Sequence, residues 1–277
     1  GEEWQSVQVF GQEVNGLTSS IARMNLYLNG VEDFSIACAD TLENPAFLDG
    51  SHLRKFDIVL ANPPYSIKEW NREKFMNDKW GRNFLGTPSQ GRADYAFIQH
   101  ILASMNDENG RCAILLPHGI LFRNEEKEVR TNLVKSDLLE AVIGLGPNLF
   151  YNAPMEACIL FCNKNKDRER KNRITFINAV KEVTRKNAES YLEQHHIEKI
   201  LHAFHSQEDI EQFKLSISTD DIANKDFDLS IQKYVFIKDA EVEEISFSSA
   251  ISRWLNSQKE VHVQYITLMD LLSNDKI

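Results

Sequence analysis

Short apolar runs alternate along this chain with segments whose apolar residues recur every third or fourth position, the grammar of strands interleaved with helices. Val7-Gln8-Val9-Phe10 reads as a short strand leading through Gly11-Gln12 to Glu13. Leu17, Ile21, Met24 and Leu28 then have helical spacing and predict a buried face, with Asn15 or Thr18 as the cap and Gly30 as the stop. Phe34 to Ala39 forms a second apolar run ending at Asp40, and Phe56 to Ala61 a third ending at Asn62. A helix follows from about Ala93, burying Phe97, Ile98, Ile101, Leu102 and Met105. The continuous run Cys112 to Pro117 suits the middle of a sheet. A helix over Glu125 to Lys135, strands over Leu139 to Leu145 and Ala157 to Cys162, and a strand over Ile174 to Ile177 complete the alternation. It predicts an α/β fold with a mainly parallel sheet and an antiparallel margin near its end.

From Glu189 the pattern changes to a helical stretch over Tyr191 to Phe204, a mixed segment over Phe213 to Ile237, and a polar tail carrying Ile245, Ile251, Trp254 and Leu255. A boundary near 185 divides a domain, 1–185, from a largely helical extension, 186–277, read as an interaction or covering element. No internal repeat interrupts this order.

Composition changes the picture in two ways. Asp and Glu outnumber Lys and Arg by 41 to 31, a net charge of −10, so the surface as a whole does not attract nucleic acid. Contact with DNA then requires a local basic groove or a partner that supplies phosphate contacts. Cys38, Cys112, Cys158 and Cys162 lie in strand-like runs without zinc-site spacing, which predicts buried free thiols and no metal. No apolar stretch approaches a membrane span, and no signal peptide is visible.

Glu13, Asp40 and Asn62 end three successive strands, and in open α/β sheets such side chains face one crevice. Any one acid there also serves as a helix cap, but three in series point to a site. Asn62-Pro63-Pro64-Tyr65 carries the clearest chemistry. An amine on an aromatic ring is a poor nucleophile, because its lone pair is delocalised. The Asn62 side-chain oxygen and the Pro63 carbonyl are acceptors for both amine hydrogens, favouring the pyramidal nitrogen that forms during attack. The two prolines fix φ and remove backbone donors, and Tyr65 offers a ring for stacking. No strong base is required, and His118 reads as a hydrogen-bonded strand-end residue. Between Tyr65 and Gly91, Trp70, Phe75, Trp80 and Phe84 are interleaved with Lys68, Arg72, Lys74, Lys79 and Arg82. These aromatics either stack bases or pack as a lid on the domain. The basic run Lys164, Lys166, Arg168, Arg170, Lys171 and Arg173 reads as a solvated turn, with phosphate contact as the alternative.

Asn62-Pro63-Pro64-Tyr65 matches in full the fourth motif, Asp/Asn/Ser-Pro-Pro-Tyr/Phe, of the amino-methylating S-adenosylmethionine-dependent methyltransferases. Gly11-Gln12-Glu13, Ala22 to Leu26, Asp40-Thr41-Leu42, Ala93-Asp94-Tyr95-Ala96-Phe97, Leu116-Pro117-His118-Gly119, Asp226 to Leu229 and Tyr234-Val235 extend the match. Over residues 7 to about 235 the chain resembles the modification subunit of type I restriction-modification systems. The resemblance implies N6-methylation of adenine in DNA on a Rossmann-like sheet, with S-adenosylmethionine as cofactor. It implies that Glu13 binds the cofactor ribose, that Asp40, Thr41 and Leu42 wall its adenine, and that Asn62, Pro63, Pro64 and Tyr65 hold the target base, Asn62 being counted with both sets. Asp94 and Phe97 are implied to be site-adjacent. The implied partners are DNA, a specificity subunit, a restriction subunit and a second modification subunit, in a prokaryotic cytoplasm.

The family's glycine-rich first motif, which wraps the methionine part of the cofactor, has no counterpart, since Pro147 and Asn148 follow Gly144-Leu145-Gly146. The chain is therefore expected to lack the first strand and to be the carboxyl-terminal part of a longer subunit, binding cofactor weakly on its own. Two other readings are a glutamine methyltransferase acting on protein, whose planar amide nitrogen suits the same motif, and a non-catalytic DNA-clamping or assembly module.

Overall fold

Most of the strand-forming runs assemble into one six-stranded mixed sheet in the computed structural model. The structure describes residues 7–150, 155–186 and 189–236, with 251, 254, 255, 258 and 259 beyond them. Strands β1 (Val9–Glu13) and β2 (Phe34–Cys38) pair in parallel as a separate two-stranded sheet, joined by helix α1 (Gly16–Leu28). The short strands β3 (Leu48–Asp49) and β4 (His52–Leu53) form a hairpin leading to β5 (Ile58–Ala61). Then come α2 (Arg72–Met76), α3 (Asp94–Ser104), β6 (Arg111–Pro117), α4 (Lys127–Lys135), β7 (Leu139–Leu145), β8 (Ala157–Asn163) and β9 (Arg173–Ala179). A second hairpin of β10 (Thr184–Lys186) and β11 (Glu189–Tyr191) precedes α5 (Gln194–His205), β12 (Lys214–Ser218) and α6 (Thr219–Asn224).

The six-stranded sheet has the order β12-β9-β7-β8-β6-β5. β5 and β6 run parallel, as do β7 and β9, while β8 is antiparallel to both β6 and β7. The expected antiparallel margin is present at β12. A second antiparallel strand, β8, stands inside the sheet. Leu139 to Leu145 and Ala157 to Cys162 are apolar at almost every position, as strands covered on both faces must be, and that pattern carries no information about direction.

One sheet face packs on α3 and α4 through Ile98, Leu102, Met105, Leu133, Ile114, Leu160 and Phe176, all fully buried. The other packs on α5 through Ile143, Ile177, Ala203 and Phe213. Phe176 also stacks on Tyr234, with centroids 4.2 Å apart, so the Asp226-to-Val235 segment is part of this core. The first compact unit runs through Phe236, and residue 185 lies inside it; Ile237–Ile277 form a second. Ile245 and most of the tail read as an interaction element fall outside the described residues.

Two local expectations change. β1 continues through Gly11 and Gln12 to Glu13, because Gly11 lets Ile36 of β2 close in; a Cβ there would stand 2.7 Å from Ile36 Cδ1. α1 is capped by Asn15 and followed by Gly30 at φ +75°, as its sequence predicts, but its expected buried face is not buried. Leu17, Ile21, Met24 and Leu28 are 59–75% exposed. Ile58 and Leu60 on β5 are also exposed, and a shallow depression of about 320 Å³ beside Asn62 is lined by Leu60 with the half-buried Ala113, Leu115 and Ile159. Cys112, Cys158 and Cys162 are buried free thiols as expected, whereas Cys38 is exposed. Among the described residues, no helix is long and apolar enough to cross a membrane, and no cluster of metal ligands occurs.

Candidate active site

Glu13, Asp40 and Asn62 stand at or just beyond the ends of β1, β2 and β5, as the sequence order predicts, but the first two belong to the two-stranded sheet and Asn62 to the six-stranded one, so the single sheet expected to present all three is not formed. Glu13 closes β1, and its Oε1 accepts the Asn15 N–H at 2.7 Å, while the Asn15 side chain accepts from Leu17 and Thr18 to cap α1. Asp40 follows β2, where its Oδ1 accepts the N–H groups of Leu42 (2.8 Å) and Glu43 (2.9 Å). Each carboxylate uses one oxygen to hold its own turn, and none of these bonds engages Glu13 Oε2 or Asp40 Oδ2. That donor-accepting capacity fits hydroxyl and amine groups of a nucleoside.

A buried arginine fixes the Asp40 turn. Arg82 is 1% exposed, and its guanidinium donates to the Thr41 carbonyl at 2.9 Å and the Leu42 carbonyl at 2.8 Å. Asp78 pairs with it at 2.7 Å. Burial by itself would raise the Asp78 carboxyl, but the Arg82 hydrogen bonds outweigh it and hold it low. Burial and Arg82 together push His100 down to about 3, so its neutral Nδ1, 3.3 Å away, accepts from the same guanidinium. The 65–91 segment therefore packs on the domain: Phe75 is buried, Trp70 meets it edge-on at 5.7 Å, and Arg82 lies over Trp80. Lys74 pairs with Glu43 and Arg72 donates to the Pro88 carbonyl. Phe84 remains 46% exposed.

At the end of β5, Asn62 and Pro64 are exposed, Pro63 is buried and Tyr65 is half-buried. Burial, then the nearby Cys158 and Asp94, raises the Tyr65 phenol, which stays neutral at physiological pH. Ser66 exits the motif at φ 52°, a left-handed conformation that a non-glycine residue holds only with support. Asp94, fully buried at the start of α3, supplies it by accepting the Ser66 N–H at 2.8 Å. One apolar cluster then contains Leu42, Phe75, Ala93 and Ala96 with Ile67, Trp70 and Phe97 packed against it. It brings the Asp40 turn, the exit of the Asn62 motif and Phe97 together.

His118 differs from expectation. Its Nδ1 lies 3.9 Å from Glu156 Oε2, its Nε2 is buried without a hydrogen bond, and burial lowers its pKa. The basic run after β8 is largely occupied in internal contacts, with Lys166 on Asp137 (2.6 Å), Arg170 on Glu140 (2.8 Å) and Lys164 on Asp107 (3.3 Å). Gly144 and Gly146 are packing positions, where a Cβ would stand 2.7 Å from Ile231 and from the Val180 carbonyl oxygen respectively. Sequence reasoning missed Ser66, Arg92, Arg123 and Glu126 near the motif. Nothing in apolar periodicity marks a buried charge, and only their closeness to the motif segments hinted at them.

The methylase subunit of type I restriction enzyme MjaVII from Methanocaldococcus jannaschii is 32% identical over 269 residues, covering 92% of this chain and 45% of its own length. A type I restriction-modification methyltransferase subunit from Streptococcus thermophilus has a solved structure that is 37% identical, with a TM-score of 0.77, covering 83% of this chain and 49% of that one. A putative class I S-adenosylmethionine-dependent methyltransferase from Listeria monocytogenes, 18% identical, shares the fold with a TM-score of 0.53 over 72% of this chain and 55% of that one. The chain thus spans about half the length of the relatives it matches. A profile described as N-6 DNA Methylase matches residues 1–243, and the chain belongs to that family.

Proposed function

We propose that this chain is the target-base half of a type I modification subunit that transfers a methyl group from S-adenosylmethionine to the N6 amine of adenine in DNA. The observation that carries the reading is the Asn62-Pro63-Pro64-Tyr65 strand end, braced by Asp94 and joined by one apolar cluster to the Asp40 turn. S-adenosylmethionine supplies an electrophilic methyl group when bound. Glu13 and Asp40 each offer a carboxylate oxygen to its nucleoside, and Leu42, whose carbonyl is held by Arg82, offers with Phe97 an apolar wall. The Asn62 side-chain oxygen and the Pro63 carbonyl accept hydrogen bonds from the adenine amine, more strongly as its nitrogen becomes pyramidal. The amine proton becomes acidic once the nitrogen is alkylated, so no side chain near the motif has to act as a strong base.

A base within a duplex cannot reach a strand-end motif of this kind, so the nucleotide must flip out. Stacking on Tyr65 offsets part of that cost, by about 1–3 kcal/mol. The net charge of −10 fits a subunit that shares phosphate contact with partners: a specificity subunit, a second modification subunit and, in the full complex, a restriction subunit. Transfer of a labelled methyl group by the intact subunit with its specificity partner is the test. Asn62→Ala is expected to abolish transfer to adenine while calorimetry finds cofactor affinity largely intact. Retained transfer would remove Asn62 from this role, and transfer to a glutamine-bearing peptide with none to DNA would replace adenine as the substrate.

A further inference from the structure

Beneath the Asn62 motif lies a buried set of charges that the proposed transfer does not itself use. Asp94, fully buried, accepts the Ser66 N–H at 2.8 Å and contacts the Ser66 hydroxyl at 3.4 Å. Arg92 donates to that hydroxyl at 3.0 Å. Arg123 Nη1 stands 3.3 Å from Asp94 Oδ2 and 3.7 Å from Glu126 Oε2, so two carboxylates face one guanidinium nitrogen. Glu126 is itself fully buried, and neither of its carboxylate oxygens has a hydrogen-bond partner. Arg123 is packed against Gly119, where a Cβ would come within 2.6 Å of the guanidinium. Arg130 completes the cage by donating to the Arg123 carbonyl at 2.8 Å.

We propose that Arg123 is a positioning residue for the Asn62-to-Tyr65 segment, acting through Asp94 and Ser66, and that Glu126 competes with Asp94 for the same guanidinium nitrogen, so that its ionisation loosens the segment. The groups facing Glu126 are Asp94 and Tyr95 from α3, Arg92 from the loop before it, Arg123 from its own turn and Arg130 from α4. Burial, followed by the Asp94 charge, pushes the Glu126 carboxyl up to about 7 against the pull of the three arginines. Below that pH the neutral carboxyl leaves Arg123 to Asp94, which holds Ser66 in its left-handed conformation. Above it the proton passes to solvent, and a second buried negative charge draws Arg123 away. The link to methyl transfer rests on the reading of Asn62 to Tyr65 as the base-holding segment; the mechanical link does not.

Amide hydrogen exchange at residues 62–67 of the intact subunit, corrected for intrinsic pH dependence, separates the two. Ser66 protection is expected to fall several-fold from pH 6 to pH 8 in the wild type and to stay level in Glu126→Gln. Arg123→Gln and Gly119→Ala are expected to show low protection at both pH values, with partial recovery in Arg123→Lys. Methyl transfer measured in parallel should show kcat falling with Ser66 protection while KM for the cofactor stays constant. A flat wild-type profile, or Ser66 as protected in Arg123→Gln as in the wild type, would overturn the proposal. Should Arg123→Gln not fold, the contrast between wild type and Glu126→Gln decides alone. A wild-type subunit that transfers no methyl group would refute the proposed function and still leave the exchange result decisive.

Discussion

Burial holds the Glu126 carboxyl at about 7, above its ordinary value of 4.5, and this makes the residue a liability for folding at neutral pH. Below 4.5 both folded and unfolded chains carry the proton; between 4.5 and 7 only the folded chain does, so stability falls as pH rises through that window and then levels off. Glu126→Gln is expected to remove this slope, gaining on the order of 1–3 kcal/mol relative to wild type at pH 8 compared with pH 4.5, as measured by denaturant melts at both pH values. Arg82 presents the opposite case, a buried cation whose partners are all in place. Arg82→Gln leaves Asp78 buried without its charge partner and is expected to cost about 3–5 kcal/mol in the same melts. The place of Asn62 to Tyr65 at a strand end was legible in the sequence, because the apolar run before them stops at Ala61 and the prolines cannot continue it. Arg82, Arg123 and Glu126 were not, because what distinguishes them is burial, and burial of a charge is decided by residues distant in sequence.

Elements show the same division between local and distant causes. The cap of α1 was legible, since Asn15 accepts from the first free N–H groups wherever the helix lies. Asn15→Ala is expected to cost about 1 kcal/mol, read as a lower melting temperature. The direction of β8 was not legible. A strand buried on both faces has the same composition whichever way it runs, and its place between β6 and β7 follows from the return of the chain after β7. Gly144 lies in β7 beneath Ile231, whose Cδ1 would stand 2.7 Å from an added Cβ. Gly144→Ala is therefore expected to overpack this contact and destabilise by about 1–3 kcal/mol, with Ile231→Val restoring part of the loss.

At the scale of the whole molecule, the order of strand, acid and helix was sufficient to place Glu13, Asp40 and Asn62 at strand ends. It was insufficient to say which apolar faces are covered, because a helical stripe reports only that a face is suited to burial. Leu17, Ile21, Met24 and Leu28 form such a stripe and remain largely exposed, as do Ile58 and Leu60 of β5. Exposed apolar side chains grouped in this way mark an interaction surface, a ligand groove or an aggregation liability. The isolated chain is expected to bind a hydrophobic fluorescent dye, and Leu17→Ser with Ile21→Ser to reduce that signal without shifting the melt of the six-stranded sheet.

The central position of β8 also bears on how the chain folds as it is made. β5 and β6 pair early, but β6 reaches β7 in the ladder only through β8, whose last residue is Asn163. Until the ribosome has passed that point, the strand beside the Asn62 motif keeps an open edge, and open edges invite pairing with another nascent chain. Translation stalled between Pro117 and Ala157 would therefore release a product in which β6 has no partner on its second edge, whereas one stalled after Asn163 already carries β8 to join β6 to β7, with β9 and β12 still to be added.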